Sequence, residues 1–509
     1  MEGLKIYLSV KENNISEKSL DINLKVLGIS KEIIKLYKGN INVSNIICNY
    51  KYNEKNNFIE ILKSDNLDLI LNYTVNLGSL GKHGHAGELN ENILAFSGEH
   101  VFILPVNILS LKDFYDGYCD FIKISFDIKN KKLVYIPFME EGNISNINNP
   151  VWSDIYKLMK DNYIFGNFKE CYKKDSLKIF TEENMNIEDS VKENIYNLYS
   201  YYTNLFETKK DLNIVLLNKN KDDNENILGG CVGDSICASF DFNKLRDLQL
   251  LSHRLFHNFM DFKIRTKAFH MMPNLWLTEG LATYYENIAL ESLNDDFKKD
   301  ININSNKEFK KIFLRYLYMR IKNRELLNIA PMEEGSMKSY GKIEFLHYTI
   351  APLIIKLIED MVCKSRGEKD SIIKYINSLD YKNGFYMDEL FTYLLGKNRD
   401  KFAISYLFNS EILPLWYLDY EFEDASELID HINEYEYILW TWFNKEGINY
   451  KREFIKLYDI DKKYETLANN LNINFGDKLF ENMVKKSYNT IYTLLKKYYL
   501  ELYVTNSKR

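Results

Sequence analysis

The chain has 509 residues, 46% hydrophobic and 27% charged, an ordinary globular balance that excludes wholesale disorder. Its 66 basic and 72 acidic residues leave a formal charge of −6, so no global basic field draws it to nucleic acid or to an anionic membrane. Six cysteines without a C-x-x-C pair are too sparse for a disulfide scaffold or a zinc ribbon, and no leader-like N-terminus or 18-residue apolar stretch is present, which makes the cytoplasm the expected compartment.

Length predicts about three domains, with boundaries read at 1–150, 151–385 and 386–509. The first segment alternates. Ile22, Leu24 and Val26 interleave with Asp21, Asn23 and Lys25, and the same period two recurs from Leu67 to Leu77 and from Ile122 to Ile128. Such runs predict strands with one buried face, assembled as a sandwich-like sheet domain. After Pro150 the pattern changes. Residues 187–206 have apolar side chains at helical spacing, 212–217 read as a short buried strand, and 226–240 are glycine-punctuated and then strand-like. Helical periods dominate from there, ending in an amphipathic run over 480–502 that packs on the body of the protein.

One stretch carries chemistry. His253 and His257 stand four apart in a helical pattern, which puts both imidazoles on one helix face. Glu279 follows in W-L-T-E-G, just inside a second helix that Thr278 is expected to cap. Two histidines from one helix and a carboxylate from the next make a three-ligand zinc site with an open fourth position. Thr283, one turn beyond Glu279, is the expected partner that steadies it. Elsewhere, Cys231 and Cys237 read as small buried residues and not as nucleophiles. His83 and His85 in KHGHAGE lack a third ligand, and His270 and His347 have no assigned role.

HRLFHNF, KIRTKAF and LWLTEGLATYY together resemble the metal-binding core of the glycyl aminopeptidases, members of the gluzincin zinc peptidases. The leukotriene hydrolase and aminopeptidase N group is a more distant likeness with a similar W-L-x-E-G. The resemblance covers roughly residues 1–420. It implies a multi-domain α+β fold: an N-terminal β-sheet domain, a thermolysin-like metallopeptidase domain and a C-terminal helical domain. By the same resemblance GGCVGDS (229–235) takes the place of the family's Gly-Gly substrate strand, so Gly229 and Gly230 would bind substrate. SYGK (339–342) resembles the Tyr-x-Lys-Gly segment, and Tyr340 would then donate its hydroxyl to a tetrahedral oxyanion.

Two acids of the family pattern are missing. Arg254 stands where H-E-x-x-H has its Glu, the general base that takes a proton from water and gives it to the leaving amine. A guanidinium with a pKa above 12 cannot do this. Its charge also opposes a divalent ion, by roughly 6–7 kcal/mol at about 5 Å and an effective dielectric of ~20; with the metal absent, Arg254 could instead pair with Glu279. In GGCVGDS, Val232 replaces the Glu that grips the substrate's amino end, leaving Asp234, two residues on, as the remaining acid. The family's PDZ-type C-terminal module is also absent; 420–509 carries aromatic-rich helical patterns. The sequence therefore predicts a catalytically impaired or repurposed protein that binds a peptide or peptide-like ligand in the old cleft. The alternatives are an active zinc aminopeptidase with an unorthodox base and an acyl- or amide-transfer enzyme using Arg254 to hold an anion.

Overall fold

A computed structural model describes residues 3–448 apart from 29–32, 40, 56, 63–67, 79, 82–83, 86, 110–118, 141, 219–232, 265–273, 323–325, 327, 380–385, 416–417 and 419–424. Two compact units divide the chain, Met1–Lys267 with Ser292–Asn294, and Ala268–Glu291 with Asp295–Arg509.

In the first unit the alternating segments form the strands expected of them. Leu4–Asn14, Ser19–Leu27, Leu69–Asn76 and Cys119–Asp127 lie side by side in a seven-stranded sheet. Leu4–Asn14 pairs parallel with Cys119–Asp127 and antiparallel with Ser19–Leu27. Each strand turns one face inward, because successive side chains point to opposite faces; Ile22, Leu24 and Val26 are buried where Asp21, Asn23 and Lys25 are not. Two smaller sheets contribute Leu36, Ile59, Ile61, Phe96, Tyr163 and Phe165 to the same core, which makes the arrangement sandwich-like.

A further four-stranded sheet follows, in the order Phe168–Lys174, Leu177–Glu182, Leu212–Leu216, Ser235–Ala238. Its last two strands run parallel to Leu177–Glu182. The helix Asp189–Leu205 connects Leu177–Glu182 to Leu212–Leu216, matching the expected helix over 187–206. Beside it lies the helix Leu245–Lys263, hereafter the histidine helix. Tyr202 and Phe206 pack against its Phe256 and Phe259, and Tyr202 Oη lies 2.9 Å from Ser252 Oγ.

The second unit is helical. It begins with Leu275–Ala289, the glutamate helix, followed among others by Ser305–Lys322, Tyr340–Phe345, Ala351–Arg366 and Ala425–Lys445. The glutamate helix starts at Leu275, so Thr278 is buried within its first turn and is not the cap that the sequence suggested. The helix gains a turn because Trp276 and Leu277 are fully buried and hold it further back along the chain. Its close partner is Ala351–Arg366, and Gly280 is the reason they meet. A Cβ there would lie 2.6 Å from Ala351 Cβ and 3.0 Å from the Ala351 carbonyl carbon. The expected amphipathic run over 480–502 lies outside the described residues. Among the described residues no helix is long and apolar enough to cross a membrane.

Candidate metal centre

The residues singled out from the sequence fall in both units: His253, Arg254, His257 and Asp234 in the first, Glu279, Thr283 and Tyr340 in the second. Gly229, Gly230, Cys231, Val232, His83 and His270, and the side chain of His85, lie outside the described residues.

On the histidine helix the i,i+4 spacing does what the sequence anticipates. His253 Nε2 and His257 Nε2 face each other at 3.1 Å, with ring centroids 4.8 Å apart. Two ligands at ~2.0–2.1 Å from a tetrahedral zinc are separated by about 3.3–3.4 Å, so the pair is set within a few tenths of an ångström of that spacing. The helix is held firmly at this point. Leu255, Phe256, Phe259 and Met260 are fully buried, and the buried ammonium of Lys210 donates to the Asn258 carbonyl at 2.6 Å. Arg254, between the histidines, is only 1% exposed. Its guanidinium carbon lies 5.8 Å from the centre of the Phe240 ring. Burial pushes the Cys237 thiol up to about 12 against the opposing effect of the Arg254 charge. Cys237 is therefore a neutral strand residue at ordinary pH, in keeping with the sequence reading.

Asp234 sits in a charged cluster of this unit. Its carboxylate pairs with Lys157 and lies 3.6 Å from Lys210 Nζ. Burial would raise its pKa, but the two lysines outweigh it and hold the carboxyl below its usual range. Asp161 lies beneath, wholly buried, and accepts from Tyr135 Oη at 2.5 Å, Ser235 Oγ at 2.6 Å and the Asp234 N–H at 3.2 Å. Burial, partly offset by Lys157, pushes Asp161 up to about 6. The chain passes so close that a Cβ at Gly233, whose φ is +101°, would lie 2.0 Å from Asp161 Oδ2. The Ser235 carbonyl accepts from Asn162 Nδ2 at 3.2 Å. With two lysines already on its carboxylate, Asp234 is a poor acceptor for a substrate ammonium.

In the second unit Glu279 has a partner that the sequence reading did not name. Tyr348 Oη donates to Glu279 Oε2 at 3.1 Å. Thr283, one turn on, is buried, and its hydroxyl has no hydrogen-bond partner among the described residues. The steadying contact to Glu279 that the sequence anticipates for Thr283 is therefore not made among the described residues. Tyr340 is placed differently. Its N–H donates to the Glu446 carboxylate, its ring lies 5.7 Å from Trp442, and it is 49% exposed. The signal that could have found Tyr348 is Pro352, four residues on in an apolar helix, where a carbonyl must lose its helical partner.

The comparisons with known proteins agree with this architecture. A mixed α+β chain with N-terminal sheets and a helical C-terminal region is the architecture of the M1 aminopeptidases. The solved structure that carries this likeness is an aminopeptidase N family protein of Idiomarina loihiensis: TM-score 0.58, 12% identity, covering 81% of this chain and 77% of that one. An M1 zinc metallopeptidase of Deinococcus radiodurans aligns at TM-score 0.46 and 12% identity over 82% of this chain and 96% of that one. Leukotriene A4 hydrolase of Saccharomyces cerevisiae aligns at TM-score 0.47 and 9% identity over 96% and 85%. At these identities the likeness shows the fold alone. No protein-family model and no curated protein sequence matches the chain.

Proposed function

We propose that this chain is a metallopeptidase-fold protein that holds zinc through His253, His257 and Glu279 and has lost efficient peptide hydrolysis. The observation that carries the reading is the histidine pair, Nε2 to Nε2 at 3.1 Å, with a buried arginine between its members. Tyr348, whose hydroxyl donates to Glu279, supports it from the second unit. Zinc, when bound, supplies a Lewis acid that polarises a carbonyl oxygen. The chain's own residues supply the rest, and a group to hold and return a proton is what they lack. Arg254 stays charged at every physiological pH and can only donate hydrogen bonds. We assign the protein a peptide or peptide-like ligand on the likeness of its core motif to that of the glycyl aminopeptidases. The same likeness supports an ancestral activity at the amino end of peptides.

The missing base costs a factor of ~10²–10⁴, about 3–5 kcal/mol of barrier. The test joins metal content by elemental analysis to an aminopeptidase assay on the natural chain, on Arg254→Glu and on Arg254→Glu with Val232→Glu. One zinc per chain, negligible turnover by the natural sequence and a gain in the substituted chains are expected. Robust zinc-dependent turnover by the natural chain, abolished in His257→Ala, would refute the reading.

A further inference from the structure

The helix Tyr340–Phe345 does not run smoothly into Ala351–Arg366. Between them Leu346–Ile350 forms a π-helical turn, closed by the Ala351 N–H on the Leu346 carbonyl. The sequence explains why. Pro352 has no N–H to offer the carbonyl four residues earlier, and its ring crowds that carbonyl. The carbonyl belongs to Tyr348.

The carbonyl is partly buried, and a protein donor satisfies it where the helix does not. Arg315, on the helix Ser305–Lys322, provides it through Nη2. The guanidinium is fixed from its other sides as well. Nη1 lies 3.4 Å from His431 Nε2, and the Tyr435 ring centre is 4.0 Å from the guanidinium carbon. Burial, with Arg315 and Lys311 nearby, holds His431 well below its ordinary range, so its ring is neutral and can accept. Glu286, Glu308 and Glu344 favour the arginine's charge from a distance. The residue before Tyr348 is clamped too, as His347 Nε2 meets Glu334 Oε1 with both side chains buried. Tyr348 is thus tied down on its own carbonyl and through its neighbour, while its hydroxyl rests on Glu279.

We propose that Arg315 is a positioning residue: by capturing the carbonyl that Pro352 leaves open, it holds Tyr348 where its hydroxyl orients Glu279 for the metal. A buried arginine on a neutral carbonyl is a costly way to stabilise a helix. It is a good way to fix one turn, because the planar guanidinium allows little freedom. The inference rests on the proposed metal site, and the experiment separates the two.

Zinc affinity is measured by competition with a chelator for the full chain, for Arg315→Gln, for Tyr348→Phe and for the double substitution, alongside thermal unfolding. Arg315→Gln and Tyr348→Phe should each weaken zinc about tenfold, in the range of contacts that support a ligand. The double substitution should lose no more than Tyr348→Phe alone, and Arg315→Lys, which can still donate to the carbonyl, should recover most of the affinity. Multiplying losses in the double substitution, or full affinity in Arg315→Gln, would overturn the proposal. Should the natural chain fail to bind zinc, the metal reading falls. A 3-fluorotyrosine placed at 348 then decides the positioning role by itself. Its fluorine resonance should move in Arg315→Gln, and an unmoved resonance overturns the inference. If Arg315→Gln does not fold, the same comparisons are made with Arg315→Met, which has no donor for the carbonyl; an unmoved resonance there likewise overturns the inference.

Discussion

The histidine half and the glutamate half of the candidate centre have kept different things. The histidine helix retains its two imidazoles at a zinc-like spacing but carries an arginine where a proton acceptor would stand. The glutamate helix keeps its carboxylate together with an apparatus that fixes it: Gly280 for close packing, Tyr348 on the carboxylate, and Arg315 behind Tyr348. On the proposed reading, groups suited to holding a metal stand in both halves, while residue 254 cannot move a proton. A binding site can survive that difference, whereas efficient hydrolysis cannot.

Removing a holding group from the histidine half should have the largest effect. His257→Ala leaves one imidazole on that helix and should reduce zinc affinity more than 100-fold, read by competition titration; affinity within tenfold of the natural chain would end the three-ligand reading. In the glutamate half, Gly280→Ala forces a Cβ against Ala351 at 2.6 Å. Urea unfolding should show a loss of about 1–3 kcal/mol, the usual cost of overpacking, with zinc weakened as Tyr348 is pushed away from Glu279. An unchanged midpoint would mean that the two helices separate freely.

Protonation should tell the halves apart. The Asp161 carboxyl is raised from 3.8 to about 6 by burial, so the folded chain prefers its neutral form. Its contribution to stability is therefore present below about pH 4 and disappears as pH rises through 6, by up to about 3 kcal/mol. The difference in unfolding free energy between the natural chain and Asp161→Asn should follow that window; a difference independent of pH counts against it. The smallest effect sharpens the comparison most directly. Arg254→Gln removes a positive charge near the metal and should tighten zinc severalfold. Equal or weaker binding would show that the arginine turns its charge away from the ion.

Much of this protein was legible in the sequence because it is local. Period-two alternation fixed which residues of 19–27 and 69–76 face the core, since a strand has only two faces. The four-residue step from His253 to His257 fixed their shared helix face, since 3.6 residues make a turn. The proposed lack of a base at 254 needs no coordinates at all, because arginine cannot take up a proton at any physiological pH. Other features depend on segments far apart in the chain. Thr278 looked like a cap until the burial of Trp276 carried the helix back to Leu275. Asp234 looked like an open acid until the folded first unit set Lys157 and Lys210 against it. Among 38 tyrosines, only Pro352 four residues on set Tyr348 apart, and it did not say what the residue touches. Its role comes from a carbonyl left open by Pro352, an arginine 33 residues earlier that closes it, and a glycine that lets two helices touch. The sequence determines which groups are available and what chemistry each can do; tertiary packing decides which of them meet, because contacts between distant segments follow from shape and burial and leave no periodic trace.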